Sequence, residues 1–221
     1  MDGVRAFIFD MDGTMVDNMA WHCKTWAEFF LDEGIHVDPQ EFMRLAGKTT
    51  PELVRMFIGR EVSDAEVAQL GDKKEFLYRC LYRPHIKPVK GLRALIRDAR
   101  AHNLKVGVAT AALPKNIEFT LTGIGVQEML DAVVGAAEVR HGKPEPDLFL
   151  LVAKRLGVQP EECVVFEDAA MGFEAARRAG MQAVALATGH TREELAAMPG
   201  VTLVADDFSV PEVRALLRRR P

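Results

Sequence analysis

The stretch FIFDMDGTMVD, residues 7–17, opens with Phe7-Ile8-Phe9 and then sets Asp10 and Asp12 two positions apart, just ahead of Gly13-Thr14. An apolar run without polar alternation suits a strand covered on both faces, as in parallel sheets. Ending such a strand in carboxylates is costly unless something compensates the charge. Similar runs recur at VRAFIF (4–9), KVGVAT (105–110), DAVVG (131–135), CVVFED (163–168) and QAVALA (182–187), with a weaker VTLVAD (201–206). Between the later runs lie helix patterns. GLRALIRDARAHN puts Leu92, Leu95, Ile96 and Ala99 on one stripe, PDLFLLVAKRLG does so with Leu148, Leu151, Val152 and Leu156, and AAMGFEAARRAG ends at Gly180, a natural stop. Strand and helix in alternation predict an α/β fold with a doubly wound, Rossmann-like parallel sheet.

One gap breaks the alternation. Residues 10–104 are too many for a single crossover, and most of them read as helix. NMAWHCKTWAEFFLDEG is long and amphipathic. DPQEFMRLA carries Asp38 as a cap before Pro39, TPELVRMFIG repeats that arrangement at Thr50-Pro51, and Ser63 with Glu66 forms a capping-box pattern. The expected organisation is an α/β core from residues 1–15 and 87–221, with a helical cap domain at 16–86 inserted after the first strand. RPHIKP (83–88) reads as the return linker.

Composition narrows the function classes. The chain has 221 residues, a formal net charge of −4 and 48% hydrophobic residues. That is enough apolar material for a proper core, and the mild acidity argues against nucleic-acid binding. Cys23, Cys80 and Cys163 are far apart and form no CxxC pair, so a reducing, cytoplasmic setting is expected rather than a disulfide framework or zinc site. No run approaches a membrane span in length. A monomer acting on a small molecule is expected.

Polar clusters close the strands. They are Asp10 and Asp12, then Thr110 followed by Ala111, then Lys143 in GKPEPD, then Glu167-Asp168. In open parallel sheets ligands bind outside the carboxyl ends of the strands, so one crevice can collect all four clusters. Carboxylates crowded around one lysine repel each other unless a cation binds, and hard oxygen donors favour Mg²⁺ over zinc. Thr110, the amides after it and Lys143 supply donors for phosphate oxygens. Asp10 suits a nucleophile that is already ionised, and Asp12 a proton shuttle to the leaving oxygen and from water. Each cluster alone reads as an ordinary cap or loop residue; their joint placement carries the chemistry. GKTT (47–50) is not a phosphate loop, because the first glycine of that motif would fall on Phe42.

DMDGT after an apolar run, the threonine ending the second core strand, GKPEPD and FEDAAMGFEAARRAG together resemble the four motifs of the haloacid dehalogenase-like superfamily. The resemblance spans nearly the whole chain. The helical insert is similar to that of the small-cap subfamily that contains β-phosphoglucomutase and related phosphatases. It implies Asp10 as the nucleophile forming an aspartyl-phosphate, and Asp12 as general acid/base that also binds metal through its carbonyl. Thr110, Ala111 and Lys143 would hold the phosphoryl group, and Asp10, Asp12, Glu167 and Asp168 would form a Mg²⁺ site. His22, Trp26 and Lys48 match substrate-facing cap positions, although His22 and Trp26 equally suit packing within the cap. Asn116, with Lys115, is a candidate anchor beyond motif two. In the mutase pattern an arginine stands three places after the cap glycine, and here that place is Thr50. A Mg²⁺-dependent phosphatase of a small phosphorylated metabolite, a sugar phosphate, is the expected activity. The alternatives are a β-phosphoglucomutase and a non-catalytic sensor of a phosphorylated ligand.

Overall fold

In the computed structural model, residues 3–45 and 49–218 are described. Lys48 lies outside them, as do the last two arginines of the chain. The strands are β1 (Ala6–Phe9), β2 (Lys105–Ala109), β3 (Ala132–Val134), β4 (Cys163–Glu167), β5 (Gln182–Leu186) and β6 (Val201–Ala205). The helices are α1 (Met19–Asp32), α2 (Pro39–Arg44), α3 (Thr50–Phe57), α4 (Asp64–Tyr82), α5 (Leu92–Ala101), α6 (Pro114–Gly123), α7 (Asp147–Leu156), α8 (Ala170–Arg178), α9 (Arg192–Ala196) and α10 (Pro211–Ala215). The strands make one sheet in the order β3-β2-β1-β4-β5-β6, and every pairing is parallel.

Every residue of β1 is buried, because helices cover both faces of the sheet. Alternation along the strand then sorts its side chains. Phe7 and Phe9 meet Phe166 on one face, with ring centroids 5.2 and 4.7 Å away. Ile8 points to the other, into a cluster with Leu148, Phe149, Val152, Val165 and Phe173. The strand order reverses between β1 and β4, so the chain diverges there at the carboxyl edge and leaves a crevice.

The chain divides into two compact units, Met1–Asp17 with Lys87–Pro221, and Asn18–Ile86. The first boundary falls after Asp17 rather than after residue 15. Met15 and Val16 stay with the core because the Met15 carbonyl accepts from Val89 N–H at 2.9 Å and the Val16 carbonyl from Gly13 N–H at 2.8 Å. The second unit holds α1 to α4 around its own core of Trp26, Phe29, Phe30, Phe42, Val54 and Val67.

Two caps differ from expectation. Thr49, not Thr50, caps α3, because Thr49 and Glu52 bond each other reciprocally and push Thr50-Pro51 into the first turn. Ser63 caps α4 by accepting from Glu66 N–H at 3.2 Å, but the Glu66 carboxylate turns to the Arg60 guanidinium, a charged donor. Among the described residues no helix is long and apolar enough to cross a membrane.

Candidate active site

Sheet register builds the site. Phe9 pairs with Phe166 across β1 and β4, and Asp10 N–H continues the ladder to the Phe166 carbonyl at 2.9 Å. The next residue on each strand is therefore Asp10 on one side and Glu167 on the other. On the far side of β1, Thr110 follows β2 and its N–H donates to the Val134 carbonyl at 3.0 Å. Three of the four strand-end clusters are thus level at one edge of the sheet before any side chain is considered.

Lys143 reaches this edge from the loop ahead of α7. Its Nζ donates to Asp10 Oδ1 and to Glu167 Oε1, each at 2.5 Å, and lies 5.1 Å from the Phe149 ring centroid. The other Glu167 oxygen, Oε2, accepts from the amides of Asp168 and Ala169 at 2.7 and 2.9 Å. Asp168 Oδ1 accepts from Thr14 Oγ1 at 3.0 Å. Asp168 also packs flat against Gly13, where a Cβ would come within 2.1 Å of Oδ2, and the φ of +83° there favours glycine as well. The turn that carries Asp12 is closed by the Gly13–Val16 bond and by Thr188 Oγ1, which donates to the Gly13 carbonyl.

Electrostatics follow from burial. Asp10 is pushed up from 3.8 to about 8, chiefly by burial; Lys143 opposes the shift, while Glu167 and Asp12 add to it. Asp168 is held well above the ordinary carboxylate range by burial and then by the charges of Glu167 and Asp10. Burial works against the Lys143 ammonium too, but the two facing carboxylates outweigh it and raise its pKa. Burial thus works against ionisation of Asp10 in the protein alone, and a bound cation would favour the carboxylate that a nucleophilic role needs. The ligand oxygens of Asp10, Glu167 and Asp168 lie within 4.8 Å of one another. An all-oxygen, electron-rich and desolvated donor set of this kind fits a hard divalent cation such as Mg²⁺. The Asp12 carboxylate is not part of that trio, though it is close enough to raise Asp10.

The remaining candidates are placed as follows. Thr110 is 1% exposed, and its hydroxyl accepts from Ala112 N–H at 3.1 Å, which orders the loop holding the exposed Ala111. Asn116 is buried in the first turn of α6, while Lys115 is exposed. In the second unit Trp26 is a packing residue, stacked at 5.5 Å on Phe30 and 6.1 Å on Phe42. His22 stacks on Tyr78 at 3.9 Å, and its Nδ1 lies 3.1 Å from Lys74 Nζ. Lys74 in turn donates to Glu75 Oε1 at 2.8 Å. Burial, reinforced by Lys74, holds the His22 imidazole well below 6.5. Lys74 and Glu75, together with Thr14 and Thr188, escaped sequence reasoning. The available signal for Lys74 was its place on the Val67, Gly71, Tyr78, Tyr82 stripe of α4, where a charge needs a partner.

Residues 4–180 match the haloacid dehalogenase-like hydrolase family. The chain is 37% identical over 177 residues to the fructose-1-phosphate phosphatase YqaB of Escherichia coli (strain K12), covering 80% of this chain and 93% of that protein. It is 30% identical over 194 residues to a beta-phosphoglucomutase of Bacillus subtilis (strain 168), covering 84% of each. Among solved structures, a HAD hydrolase, family IA, variant 3, from Entamoeba histolytica HM-1:IMSS superimposes with a TM-score of 0.89 at 28% identity, over 96% of this chain and 98% of that one. Sheet order, strand-end chemistry and sequence likeness agree over most of the length, and on that ground the chain belongs to the haloacid dehalogenase-like hydrolases, as a phosphoric monoester hydrolase.

Proposed function

We propose that this protein is a Mg²⁺-dependent phosphatase that hydrolyses a small sugar phosphate through an aspartyl-phosphate on Asp10. The observation that carries the reading is the meeting of Lys143 Nζ with Asp10 Oδ1 and Glu167 Oε1, beside Asp168. Asp10 attacks phosphorus while Asp12 gives a proton to the departing sugar oxygen. Asp12 then takes a proton from water, which attacks the aspartyl-phosphate, releases phosphate and frees Asp10. Lys143, the Thr110 hydroxyl and the amide of Ala111 hold the phosphoryl oxygens. Asp10 and Asp168 would hold Mg²⁺, with the Asp12 carbonyl and Glu167 beside them, and the ion would supply the positive charge that lets a dianion enter this acidic site.

Asn116, buried in the first turn of α6, is the candidate contact to the non-reacting part of the substrate within the core unit; the motif resemblance also names His22 and Lys48, of which Lys48 lies outside the described residues. The fructose-1-phosphate phosphatase of E. coli makes ketose phosphates the first class to test. Phosphatase is favoured over mutase because a mutase must retain a bisphosphate intermediate, and Thr50 stands where the mutase pattern carries its clamping arginine. Losing such a charge-assisted contact costs about 1.5–3 kcal/mol and favours escape of the intermediate to water. Phosphorus NMR on β-glucose 1-phosphate with a bisphosphate primer separates the two. Phosphate release that stops in excess chelator and returns with Mg²⁺ is expected. Isomerisation much faster than release would make the protein a mutase, and full activity in chelator would remove the metal from the reading.

A further inference from the structure

Gly172, in the first turn of α8, touches no reacting group in the reading above, yet its environment is the tightest of any helical glycine described. A Cβ there would lie 1.8 Å from Glu167 Oε1, 1.9 Å from Cδ and 2.6 Å from Cγ. Its backbone is ordinary helix, closed by a 3.0 Å bond from its N–H to the Ala169 carbonyl, so conformational freedom does not require glycine at this position. Space does. The volume that a side chain would fill is occupied by the Glu167 carboxylate. That carboxylate cannot swing aside without leaving the amides of Asp168 and Ala169 on one oxygen and Lys143 on the other.

We propose that Gly172 is a positioning residue: its missing side chain makes the berth in which Glu167 lies, and Glu167 in that berth seats Lys143 against Asp10. Glu167 then anchors the lysine as well as lining the oxygen donor set it shares with Asp10 and Asp168. Helix propensity alone points the other way. Alanine in place of a helical glycine should stabilise α8, so a merely helical role predicts a protein at least as stable with unchanged chemistry.

This inference rests on the phosphatase reading for what Lys143 does, but not for where Lys143 sits, and the test separates the two. Gly172→Ala, Glu167→Ala and the double variant are compared by two measurements on the intact chain. One is the affinity for inorganic phosphate in the presence of Mg²⁺, by calorimetry. The other is the rate at which formaldehyde and borohydride methylate Lys143, read by mass spectrometry. Gly172→Ala is expected to weaken phosphate binding about tenfold or more, the scale of losing one charge-assisted hydrogen bond, and to expose Lys143, whose side chain is 9% exposed in the native chain, to methylation. The double variant should match Glu167→Ala on both measurements, since the added methyl then has room.

Native phosphate affinity and a protected Lys143 in Gly172→Ala overturn the inference. So do additive effects in the double variant, which would mean that the glycine acts on something other than Glu167. If the native protein binds no phosphate, the phosphatase reading fails and the methylation arm alone decides the berth. If Gly172→Ala does not fold, the double variant, relieved of the clash, should; a double variant equally unable to fold overturns the inference.

Discussion

Among the described residues, each unit holds a buried polar cluster, and the two clusters meet the cost of buried charge in opposite ways. In the core, Asp10, Glu167 and Asp168 meet a single ammonium, Lys143, and the surplus is negative. In the cap, Lys74 pairs with Glu75 and approaches His22, which burial keeps neutral, so the buried ammonium faces an opposite charge. A surplus is a standing demand for a cation and poises a site for chemistry; a buried charge that meets its opposite fixes a shape. The largest expected effects therefore differ in kind: loss of turnover in the core, loss of stability in the cap.

Asp10→Asn tests the core side. The amide neither attacks phosphorus nor ligates a cation well, so phosphate release should fall by about 10³-fold or more while the circular dichroism spectrum is unchanged. A variant that keeps a tenth of native turnover would move the nucleophile elsewhere and remove the contrast.

Lys74→Met tests the cap side. The aliphatic stem is kept and the charge is lost, so Glu75 loses the Lys74 ammonium at a cost of about 3 kcal/mol in denaturant unfolding. Adding Glu75→Leu should recover most of that loss, because two apolar groups of similar bulk need no compensation. A double variant no more stable than the single one would mean that the pair is held by more than its own charge balance.

Acidity should separate the units further. Asp10 is raised from 3.8 to about 8, so in chelator its burial costs nothing below about pH 4 and progressively more up to pH 8. The metal-free core should lose stability as pH rises through that window, and Mg²⁺ or Asp10→Asn should flatten the slope. His22 is depressed below 6.5, so its environment favours folding above that pH and the advantage is lost as pH falls toward the lowered value. Hydrogen exchange resolved by segment should show the cap opening in acid and the metal-free core opening toward pH 8. Parallel slopes in both units would refute the opposition.

The same contrast explains what the sequence disclosed. Asp10, Thr110, Glu167 and Asp168 could be brought to one edge from the sequence because each ends or follows an apolar strand of a parallel sheet, and Lys143 joined them only through its motif in the loop ahead of α7. The gathering of Asp10 and Glu167 follows from parallel register, a rule with few exceptions. Lys74 and Glu75 were missed because GDKKEF inside a helix reads as a solvated face and masks the stripe position of Lys74; the pattern is inverted there, with Phe76 64% exposed and Lys74 2% exposed. The α3 cap shifted by a residue for a similar reason. Thr49 and Thr50 are chemically the same, and only the reach of Glu52 decides between them. Nor does the composition of α8 reveal that Gly172 is there for room, because helical glycine looks like a weakness until the carboxylate lying against it is seen.

Thr188 should give the smallest effect, and it measures how far the preorganisation of the core extends from its charges. Its hydroxyl follows β5 and donates to the Gly13 carbonyl, inside the turn that presents Asp12 and bears against Asp168. The residue is half-buried, so in Thr188→Val water can take up part of the lost bond, and the shape is nearly conserved. A neutral hydrogen bond of this kind contributes about 0.5–1.5 kcal/mol. The turn keeps its Gly13–Val16 bond, so Asp12 should drift rather than be released. Turnover should fall only severalfold, with KM for a sugar phosphate nearly unchanged, because proton delivery depends on the placement of Asp12 while phosphate binding depends on Lys143 and Thr110. Thr188→Ser should restore native turnover. A hundredfold loss in Thr188→Val would put this hydroxyl within the reacting shell, and a rise in KM without a fall in kcat would mean that the turn serves binding and not the proton shuttle.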